Sequence, residues 1–548
     1  MQFDPIIPAA RSAAMKAAGH WRDRVLIEFL DAAIARRPDR IALVDHNSMT
    51  GVRTELTSGE LGERVERIAL GLLDLGVAPG DVVSYQLPNW WEFIALHLAC
   101  LRIGAVTNPL MPIFRQRELT FMLGLAETKV LVVPQLFRGF DYPAMAAEIR
   151  GSLPALRHVL VVGGAEEQSF EQRLLQPGRA SQPEAAAIFA ARRPKPDDVI
   201  QVMYTSGTTG EPKGVMHTAN TLFSNIVPYA ERLGLSDRDV VLMASPMAHQ
   251  TGFMYGLMMP IYLGAKAVLQ DIWQADRGAE IVAAEGVTFT MASTPFLADM
   301  TEAAARRPKD FASLRIFLAA GAPIPRVLVQ KATEALGASI ISAWGMTENG
   351  AVTTTKVGDA PDKTFGTDGY PLPGMQVRAV DSMGQPVAVG EEGRLQTRGC
   401  SNFVGYLKRP QLYGTDAEGW FETGDLARLD ADGYIRITGR AKDIIIRGGE
   451  NIPVVEVEGL IYRHPAVQEA AIVGMPDPRL GERGCAFIVL RPDRRLDFEE
   501  LIVFLKSHKL AKEYLPERLE IIAEMPKTPS GKIQKFMLRK VAESWGKR

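Results

Sequence analysis

The chain has 548 residues, of which 47% are hydrophobic and 23% charged, and its formal net charge at pH 7 is −2. This length is several times that of a typical domain, and the composition is too apolar for a disordered chain. The balanced charge leaves no basic excess for binding a run of nucleic-acid phosphates, whereas a single nucleotide remains compatible with it.

The cysteines and the apolar stretches bear on the compartment. The three cysteines are far apart and form no Cys-x-x-Cys pair, which excludes a disulfide framework and a zinc site and favours buried thiols: Cys100, Cys400 and Cys485. Residues 1–24 hold no continuous apolar core, and glycine, proline and lysine interrupt the most apolar stretch, 254–269. We therefore expect a cytoplasmic protein.

The first part of the chain alternates helical patterns with short apolar runs. Residues 24–81 show this alternation, and a strand-like run, VVSYQL, follows. The sequence WWEFIALHLACLRIG is apolar on nearly every face, which predicts a buried helix. Val/Leu-rich runs at 129–133 and 156–164 are typical of parallel strands covered on both faces. The pattern predicts an α/β fold.

Two changes of texture divide the rest. Residues 165–198 are rich in Glu, Gln, Pro, Ala and Arg with weak periodicity, and we interpret them as a connection. After Asp430, hairpin signals at Asp432-Gly433 and Gly448-Gly449 precede helix and strand patterns. We predict a large domain over residues 1–441 and a smaller one over 442–548.

A glycine- and hydroxyl-rich loop follows the apolar run 199–203. Its glycines let backbone N–H groups approach an anion, its hydroxyls add donors, and its lysine adds charge. Pro212 stands where a Walker loop needs its second glycine, which disfavours a P-loop ATPase. The candidate phosphate-binding residues are Thr205, Ser206, Gly207, Thr208, Thr209 and Lys213.

This loop resembles, together with five later segments, the signature of the adenylate-forming superfamily. That superfamily includes acyl-CoA synthetases, luciferases and the adenylation domains of peptide synthetases. The later segments are AWGMTE (343–348), WFETGDL (420–426), GRAKD (439–443), RGGENI (447–452) and PKTPSGKIQK (526–535). The resemblance covers residues 89–535 and implies a large multi-subdomain N-terminal adenylation region with a small, mobile α+β C-terminal domain.

The resemblance implies roles for residues in these segments. Glu348 would hold Mg²⁺, which suits a carboxylate, and Thr347 would contact phosphate, with Trp344, Gly345 and Met346 beside the nucleotide. Asp425 would accept hydrogen bonds from the ribose hydroxyls, although Thr-Gly-Asp is also good turn chemistry.

The junction segments are assigned by the same resemblance. Arg440 would contact the nucleotide and Lys442 would be the hinge of a domain rotation, although a charged surface loop also explains Lys442. Gly448 and Gly449 would enter the site after rotation and line the path of the pantetheine thiol, a simple β-turn being the alternative.

Near the C-terminus the resemblance assigns to Lys532 the stabilisation of charge between the carboxylate and the α-phosphate. We expect Lys527 and Lys535 to be solvated surface residues. Reversible acetylation of Lys532 by a lysine acetyltransferase and deacetylase is a hypothesis, since it would remove the charge.

The acid-binding side is predicted from PMAHQTG (246–252), whose His249 would border the carboxylate pocket. Gly321 and Ala322 would lie beside adenine and the acyl group, but Ala319 and Ala320 replace the Ser-Gly of many relatives, so pocket depth stays open. An acyl tunnel and core packing explain four apolar residues equally well: Phe253, Met254, Met258 and Met259.

The predicted function is an ATP-dependent carboxylate–CoA ligase that uses ATP, Mg²⁺ and coenzyme A. The segments NWWEF and CLRIGAVTNPLMPIF resemble bacterial medium-chain and alicyclic acyl-CoA ligases of the cyclohexanecarboxylate–CoA type. The alternatives are an acyl-AMP ligase serving a separate carrier protein, a luciferase-like oxygenase and a non-catalytic nucleotide sensor. A sensor has no need of Lys532. The acid and the oligomeric state are not predicted.

Overall fold

The structure is a computed structural model and describes residues 3–176, 182–205, 212–321, 324–447, 450–508, 510–528 and 531–545. The side chain of Lys442 lies outside this description. Seven candidate residues also lie outside the described residues: Ser206, Gly207, Thr208, Thr209, Ala322, Gly448 and Gly449.

The helices of the described residues are distributed along the whole chain. In chain order they are α1 (Ala9–Ala17), α2 (Leu26–Arg36), α3 (Ser58–Asp74), α4 (Trp91–Ile103), α5 (Gln116–Leu125), α6 (Tyr142–Arg150), α7 (Phe170–Leu174), α8 (Gln182–Arg192), α9 (Ala219–Arg232), α10 (Gln250–Gly252), α11 (Met259–Leu263), α12 (Ala275–Glu285), α13 (Thr294–Arg306), α14 (Arg326–Leu336), α15 (Pro361–Gly366), α16 (Val454–Ile461), α17 (Phe498–Ser507) and α18 (Lys535–Trp545). A π-helix, Phe253–Met258, joins α10 to α11.

The strands alternate with these helices in the first two thirds of the chain. They are β1 (Ile41–His46), β2 (Arg53–Thr57), β3 (Val82–Tyr85), β4 (Val106–Pro109), β5 (Val130–Pro134), β6 (Leu136–Phe137), β7 (Phe140–Asp141), β8 (His158–Val162), β9 (Val199–Thr205), β10 (Lys213–Thr218), β11 (Val240–Met243), β12 (Lys266–Gln270), β13 (Phe289–Ala292), β14 (Ile316–Ala319), β15 (Ser339–Met346), β16 (Gly350–Thr354), β17 (Tyr370–Pro371), β18 (Met375–Val380), β19 (Glu392–Gly399), β20 (Phe421–Leu429), β21 (Ile435–Arg440), β22 (Ile445–Arg447), β23 (Glu450–Ile452), β24 (Val467–Asp477), β25 (Gly481–Leu490) and β26 (Arg518–Ile521).

Two large sheets form the first region. One has the order β17-β16-β15-β14-β13-β11-β12-β1-β2, and its central strands β1, β12, β11, β13, β14 and β15 run parallel. The other has the order β10-β9-β4-β3-β5-β8 and is parallel except for the β9–β10 hairpin. Helix α4 is buried along its whole length, which confirms the predicted buried helix.

Smaller antiparallel sheets follow. Strands β18, β19, β20 and β21 form a sheet that ends at Arg440. The remaining chain builds the sheet β23-β22-β25-β24, with β26 beside β25, and helices α16, α17 and α18. The expected α/β fold with a small α+β C-terminal domain is confirmed, whereas the boundary between 441 and 442 stays a prediction.

The segment 165–198 differs from its predicted role as a connection, because it contains α7 and α8. Among the described side chains of helix α8, Ala185 and Phe189 are the buried ones; they are four residues apart and pack against the core that contains α4. Such a narrow apolar stripe leaves a weak periodic signal, and the alanine-rich sequence supplies the helix propensity instead.

The lysines near the C-terminus also differ from expectation. Lys535 Nζ lies 2.6 Å from the carboxylate of buried Glu458, and its side chain is only 18% exposed. Lys527 Nζ lies 2.6 Å from Glu469, with 26% of its side chain exposed. The prediction that these lysines are solvated was wrong, because each one forms an ion pair with a carboxylate on a neighbouring element.

The cysteines are free thiols and all are buried, as expected. Among the described residues, no helix has both the length and the apolar composition required to span a bilayer.

Candidate active site

Three candidate residues follow the carboxyl ends of parallel strands in the larger sheet. Strand β11 leads to His249, β14 leads to Gly321, and β15 leads to Glu348. In open α/β sheets ligands bind in the crevice outside these carboxyl ends. His249, Gly321 and Glu348 therefore share one edge of this sheet.

Glu348 lies in the tight turn between β15 and β16. A Cβ on Gly345 would stand 1.9 Å from the carbonyl oxygen of Gly350, so only glycine allows these strands to approach. Glu348 is 4% exposed, and its Oε1 accepts a hydrogen bond of 2.7 Å from the hydroxyl of Tyr406. The carboxylate is thus buried and fixed, unlike an exposed glutamate at a strand end.

Lys213 connects the phosphate-loop hairpin to the same tyrosine. Its Nζ donates to the Tyr406 hydroxyl at 3.1 Å and lies 4.3 Å from the ring centroid. Thr205 pairs with Lys213 across β9 and β10, and its buried hydroxyl finds no hydrogen-bond partner in the part of the chain that is described. These two residues bracket the glycine-rich loop.

His217 and Asn349 hold the backbone of the β15–β16 turn. His217 Nε2 donates to the carbonyl oxygen of Thr347 at 2.8 Å, and the backbone N–H of Met346 donates to Asn349 Oδ1 at 3.1 Å. Burial lowers the pKa of His217 to about 4, so this imidazole is neutral at pH 7. Hydrogen bonds thus hold the backbone of this turn at Thr347 and Met346.

Asp425 is held by Trp344 and Arg440, two other candidate nucleotide-binding residues. Its Oδ2 accepts from the indole Nε1 of Trp344 at 2.8 Å, and its Oδ1 lies 3.0 Å from Arg440 Nε. Asp425 and Arg440 are directly opposite each other on β20 and β21. Each carboxylate oxygen has a second lone pair, so Asp425 retains capacity to accept further hydrogen bonds.

Lys532 reaches this site from the C-terminal domain. The described residues around it pair with each other: the backbone N–H of Thr528 donates to the carbonyl oxygen of Lys532 at 2.8 Å, and Lys527 forms an antiparallel bridge with Ile533. Burial lowers the pKa of Lys532 to about 8, and the charge of Arg440 acts in the same direction. The negative charges of Asp425, Asp443 and Glu348 act in the opposite direction and raise it.

Close packing between the two regions holds Lys532 in place. Gly531 has φ +80, and a Cβ there would stand 2.7 Å from the hydroxyl oxygen of Ser293, the residue after β13. A larger residue would push the lysine-bearing turn away from the edge of the sheet. Arg491 adds an ion pair of 3.1 Å with Glu302 on α13.

His249 caps helix α10, where its Nδ1 accepts from the backbone N–H of Thr251 at 3.3 Å. Burial lowers the pKa of His249 to about 4, and the positive charge of Lys532 acts in the same direction. Asn89 fixes the preceding loop through hydrogen bonds to the carbonyl oxygen of Ser245 (2.9 Å) and from the N–H of Met247 (2.8 Å).

The apolar residues after His249 are all in the core. Phe253, Met254, Met258 and Met259 are buried in the main hydrophobic cluster, and the first three lie in the π-helix. π-Helical turns occur frequently at functional sites. Gln250 is also buried, and neither its amide nitrogen nor its oxygen has a partner within the described residues.

Gly321 and Lys442 complete the candidate set. Gly321 follows β14 with φ +84, a conformation that favours glycine. Lys442 lies in the 3₁₀-helix Ala441–Asp443, between the last strand of one sheet and the first of the next. The backbone there connects the two regions, and the role of Lys442 as a hinge stays a prediction.

Tyr406, His217 and Asn89 are site residues that the sequence did not single out. Each acts through a tertiary contact, with Glu348, Thr347 or the loop before His249. Tyr406 and His217 lie outside the quoted motifs, so no local signal marks them. Asn89 begins the segment NWWEF, but that segment assigned no role to it. In the described residues, no cluster of three or more His, Cys, Asp or Glu side chains is arranged to hold a metal ion by itself.

Comparison with known proteins agrees with this geometry. The family model described as "AMP-binding enzyme" matches residues 30–407, and "AMP-binding enzyme C-terminal domain" matches residues 456–532. The chain is 36% identical over 533 residues to the medium-chain fatty-acid–CoA ligase of Escherichia coli K12, covering 97% of this chain and 92% of the relative.

Two further relatives differ in their named reactions. The 2,3-dihydroxybenzoate-AMP ligase of Bacillus subtilis 168 is 33% identical over 526 residues, covering 95% of this chain and 94% of the relative. A solved anthranilate CoA ligase in complex with anthranoyl-AMP superposes with TM-score 0.86 at 26% identity, covering 96% of this chain and 98% of the other. The chain therefore belongs to the family of AMP-binding enzymes and is an ATP-dependent, adenylate-forming ligase.

Proposed function

We propose that the protein is a carboxylate–CoA ligase acting on a medium-chain fatty or alicyclic acid. A carboxylate oxygen attacks the α-phosphorus of ATP, the α–β phosphoanhydride breaks, and pyrophosphate leaves. The thiolate of coenzyme A then attacks the acyl carbon of the acyl-AMP, and AMP leaves with the former carboxylate oxygen.

This proposal is supported by the packing of Gly531 against Ser293, beside Lys532, and by the charges of Arg440, Asp425 and Glu348 that act on the Lys532 ammonium. Charge develops between the attacking carboxylate and the α-phosphate, and a fixed ammonium stabilises it. Because its pKa is about 8, Lys532 is mostly protonated at pH 7. Acetylation would neutralise it, and unchanged adenylation after acetylation of Lys532 would contradict this regulatory hypothesis.

The other site residues supply the nucleotide contacts. Asp425 accepts hydrogen bonds from the ribose hydroxyls. Arg440 contacts the nucleotide and also holds the Asp425 carboxylate in place through their ion pair. Lys213, Thr205 and the glycine-rich loop receive the triphosphate.

The residues around Glu348 fit a magnesium ion. Mg²⁺ is commonly held by one or two carboxylates together with substrate phosphates, and the buried Glu348 carboxylate and the unpartnered Thr205 hydroxyl are oxygen donors of this kind. When bound, the ion would neutralise charge on the triphosphate. Tyr406 would keep Glu348 oriented toward it.

The uncharged character of the proposed acid rests on the apolar π-helix behind His249 and on the E. coli relative, which is named for medium-chain fatty acids. Methionine side chains adapt to irregular shapes, which suits a flexible or alicyclic acyl group. His249, neutral at pH 7, borders the acid carboxylate without competing with Lys532 for its charge.

A second candidate is an acyl-AMP ligase that delivers its product to a separate carrier protein. The B. subtilis relative is named as an AMP ligase of a dihydroxybenzoate. The buried, unpartnered amide of Gln250 also suits an acid with a hydrogen-bonding substituent near its carboxylate. Both observations favour a hydroxylated aromatic acid.

The two candidates separate in one experiment. Pyrophosphate release is measured with ATP and Mg²⁺ against octanoate, cyclohexanecarboxylate, benzoate and 2-hydroxybenzoate, with and without coenzyme A. The ligase predicts acyl-CoA product and a preference for octanoate or cyclohexanecarboxylate. Preference for 2-hydroxybenzoate with product retained as acyl-AMP would support the carrier-directed reaction. If no acid causes pyrophosphate release, a non-catalytic nucleotide sensor would be the remaining alternative.

A further inference from the structure

The N-terminal strap, defined here as residues 3–25, precedes the part of the chain that the AMP-binding family model matches, which begins at residue 30. It contains α1 and contacts the segment between β19 and β20. The contacts concentrate on residues 399–407, called the 399–407 loop below.

Arg11 on α1 donates several hydrogen bonds to this loop. Its guanidinium donates to the carbonyl oxygens of Phe403 and Gly399, each at 3.3 Å, and to that of Asn402. It also donates to the hydroxyl of Tyr413 at 3.4 Å. A planar guanidinium with five N–H donors suits such a set of acceptors better than a lysine does.

Two more residues of the strap bind the same loop. The indole Nε1 of Trp21 donates to the carbonyl oxygen of Cys400 at 3.0 Å, and the backbone N–H of Ile6 donates to that of Val404 at 2.7 Å. Trp21 packs in the same hydrophobic cluster as Trp344, whose indole holds Asp425. The strap thus reaches two parts of the nucleotide site.

The other side of the 399–407 loop faces Glu348. The backbone N–H of Phe403 donates to the carbonyl oxygen of Glu348 at 2.7 Å, and Ser401 Oγ donates to that of Asn349 at 2.8 Å. The Tyr406 hydroxyl, at the end of the loop, contacts both the Glu348 carboxylate and Lys213. Among the described contacts, the 399–407 loop therefore links the strap donors on one side to the Glu348 turn on the other.

We propose that the N-terminal strap is a positioning element of the active site, in which Arg11 and Trp21 fix the 399–407 loop and thereby set Tyr406 and Glu348 for the magnesium–triphosphate of ATP. This inference rests on the proposed function of Glu348. Misplacement of a site group by about 1 Å costs about 100-fold in rate, so a change at Arg11 reaches the nucleotide without touching it.

The test compares nucleotide affinity in full-length Arg11→Met, Arg11→Lys and the unmodified protein. Isothermal calorimetry measures ATP binding with Mg²⁺ and with EDTA. Arg11→Met should weaken binding of ATP with Mg²⁺ about tenfold and reduce the gain that Mg²⁺ gives, with Arg11→Lys intermediate. Lys16→Met is the matched control, because Lys16 lies on the same helix and pairs with Asp23 and Asp197.

A structural readout accompanies the affinities. Amide hydrogen exchange at Phe403 and Val404 should quicken in Arg11→Met, while exchange in the distant strand β25 stays unchanged. If Arg11→Met fails to fold, Trp21→Phe decides, since it keeps an aromatic ring in the buried position and removes the donor to Cys400. Trp21→Phe should then show the same loss of the Mg²⁺-dependent gain, to a smaller extent.

Folded variants that bind ATP with Mg²⁺ as the unmodified protein does would overturn the proposal, even if their unfolding temperature falls, because the strap would then be structural only. An unmodified protein whose ATP affinity ignores Mg²⁺ would instead contradict the proposed role of Glu348. The two failures are thus distinguishable.

Discussion

Burial and the charge of Arg440 lower the pKa of Lys532 to about 8, which makes its charge sensitive to mildly alkaline pH. Lys532 is cationic below that pH and neutral above it. At the level of single residues, the site therefore combines one titratable cation with fixed charges, and buried neutral histidines such as His217 and His249 hold the geometry.

Asp45 gives a residue-level prediction about stability. It accepts from the backbone N–H of Trp91 at the start of α4, and burial raises its pKa to about 7, with Asp271 contributing; nearby Glu92 has a pKa of about 8. The folded state keeps a proton that the unfolded state loses near pH 4. This stabilisation is present below pH 4 and is lost as pH rises toward 7.

In Asp45→Asn the free energy of unfolding should therefore fall less between pH 5 and 8, by about 2 kcal/mol. The amide oxygen can still accept from Trp91. Urea unfolding at both pH values measures the difference, with Asp39→Asn at an exposed position as the control. An equal fall in Asp45→Asn and the unmodified protein would contradict the assignment.

At the scale of elements, the β15–β16 hairpin carries the site. It presents Trp344 on one strand and Glu348 in the turn, and Gly345 is the point of closest approach between the strands. The hairpin was predictable as a functional segment because its residues are consecutive. Its packing partners were not, because they come from distant parts of the chain.

Gly345→Ala should destabilise the protein by about 3 kcal/mol and abolish adenylation, because the new Cβ would stand 1.9 Å from the carbonyl oxygen of Gly350. Gly459→Ala, in helix α16 with open space around its Cβ position, should stabilise by about 0.5–1 kcal/mol. Urea unfolding compares the two. Equal effects would show that the hairpin has room that the structure denies it.

The sequence alone predicts site residues that lie in consecutive motifs, but not those that act through distant contacts. Thr205, Lys213, Glu348, Asp425 and Arg440 lie in contiguous motifs, and the structure brings them to one site. Whether they have the expected roles stays a prediction. Tyr406 and Arg11 carry no local signal, since what they do depends on contacts with residues far away in the chain.

Secondary structure shows the same limit. The buried helix α4 was recognisable because every face is apolar, whereas α8 buries a narrow stripe and was interpreted as a connection. The lysines at 527 and 535 were expected in solvent because a sequence does not show that Glu469 and Glu458 face them. Tertiary partners, not local propensity, decide both cases.

At the scale of the whole molecule, two regions meet around Lys532, with Gly531 packed against Ser293. In this arrangement the lysine is beside the adenylation residues. We expect the C-terminal domain to rotate about Lys442 before coenzyme A reacts, so that the two half-reactions use different arrangements.

Lys442→Pro tests this rotation. Proline fixes φ near −65°, which is compatible with the 3₁₀-helix seen here and opposes a large backbone rotation. Pyrophosphate release should persist, while acyl-CoA formation falls at least about tenfold. Lys442→Ala serves as the control and should retain both steps. Equal loss of both steps in Lys442→Pro would argue against a hinge at this position.

The most direct test of the account is acid-dependent pyrophosphate release by the unmodified protein, Lys532→Ala and Lys540→Ala, followed from pH 6.5 to 9.5. We predict that Lys532→Ala lowers the rate about 100- to 1,000-fold, that Lys540→Ala, at an exposed position of α18, leaves it unchanged, and that kcat/KM for ATP in the unmodified protein falls above pH 8. Release that is the same in Lys532→Ala and the unmodified protein would contradict the account.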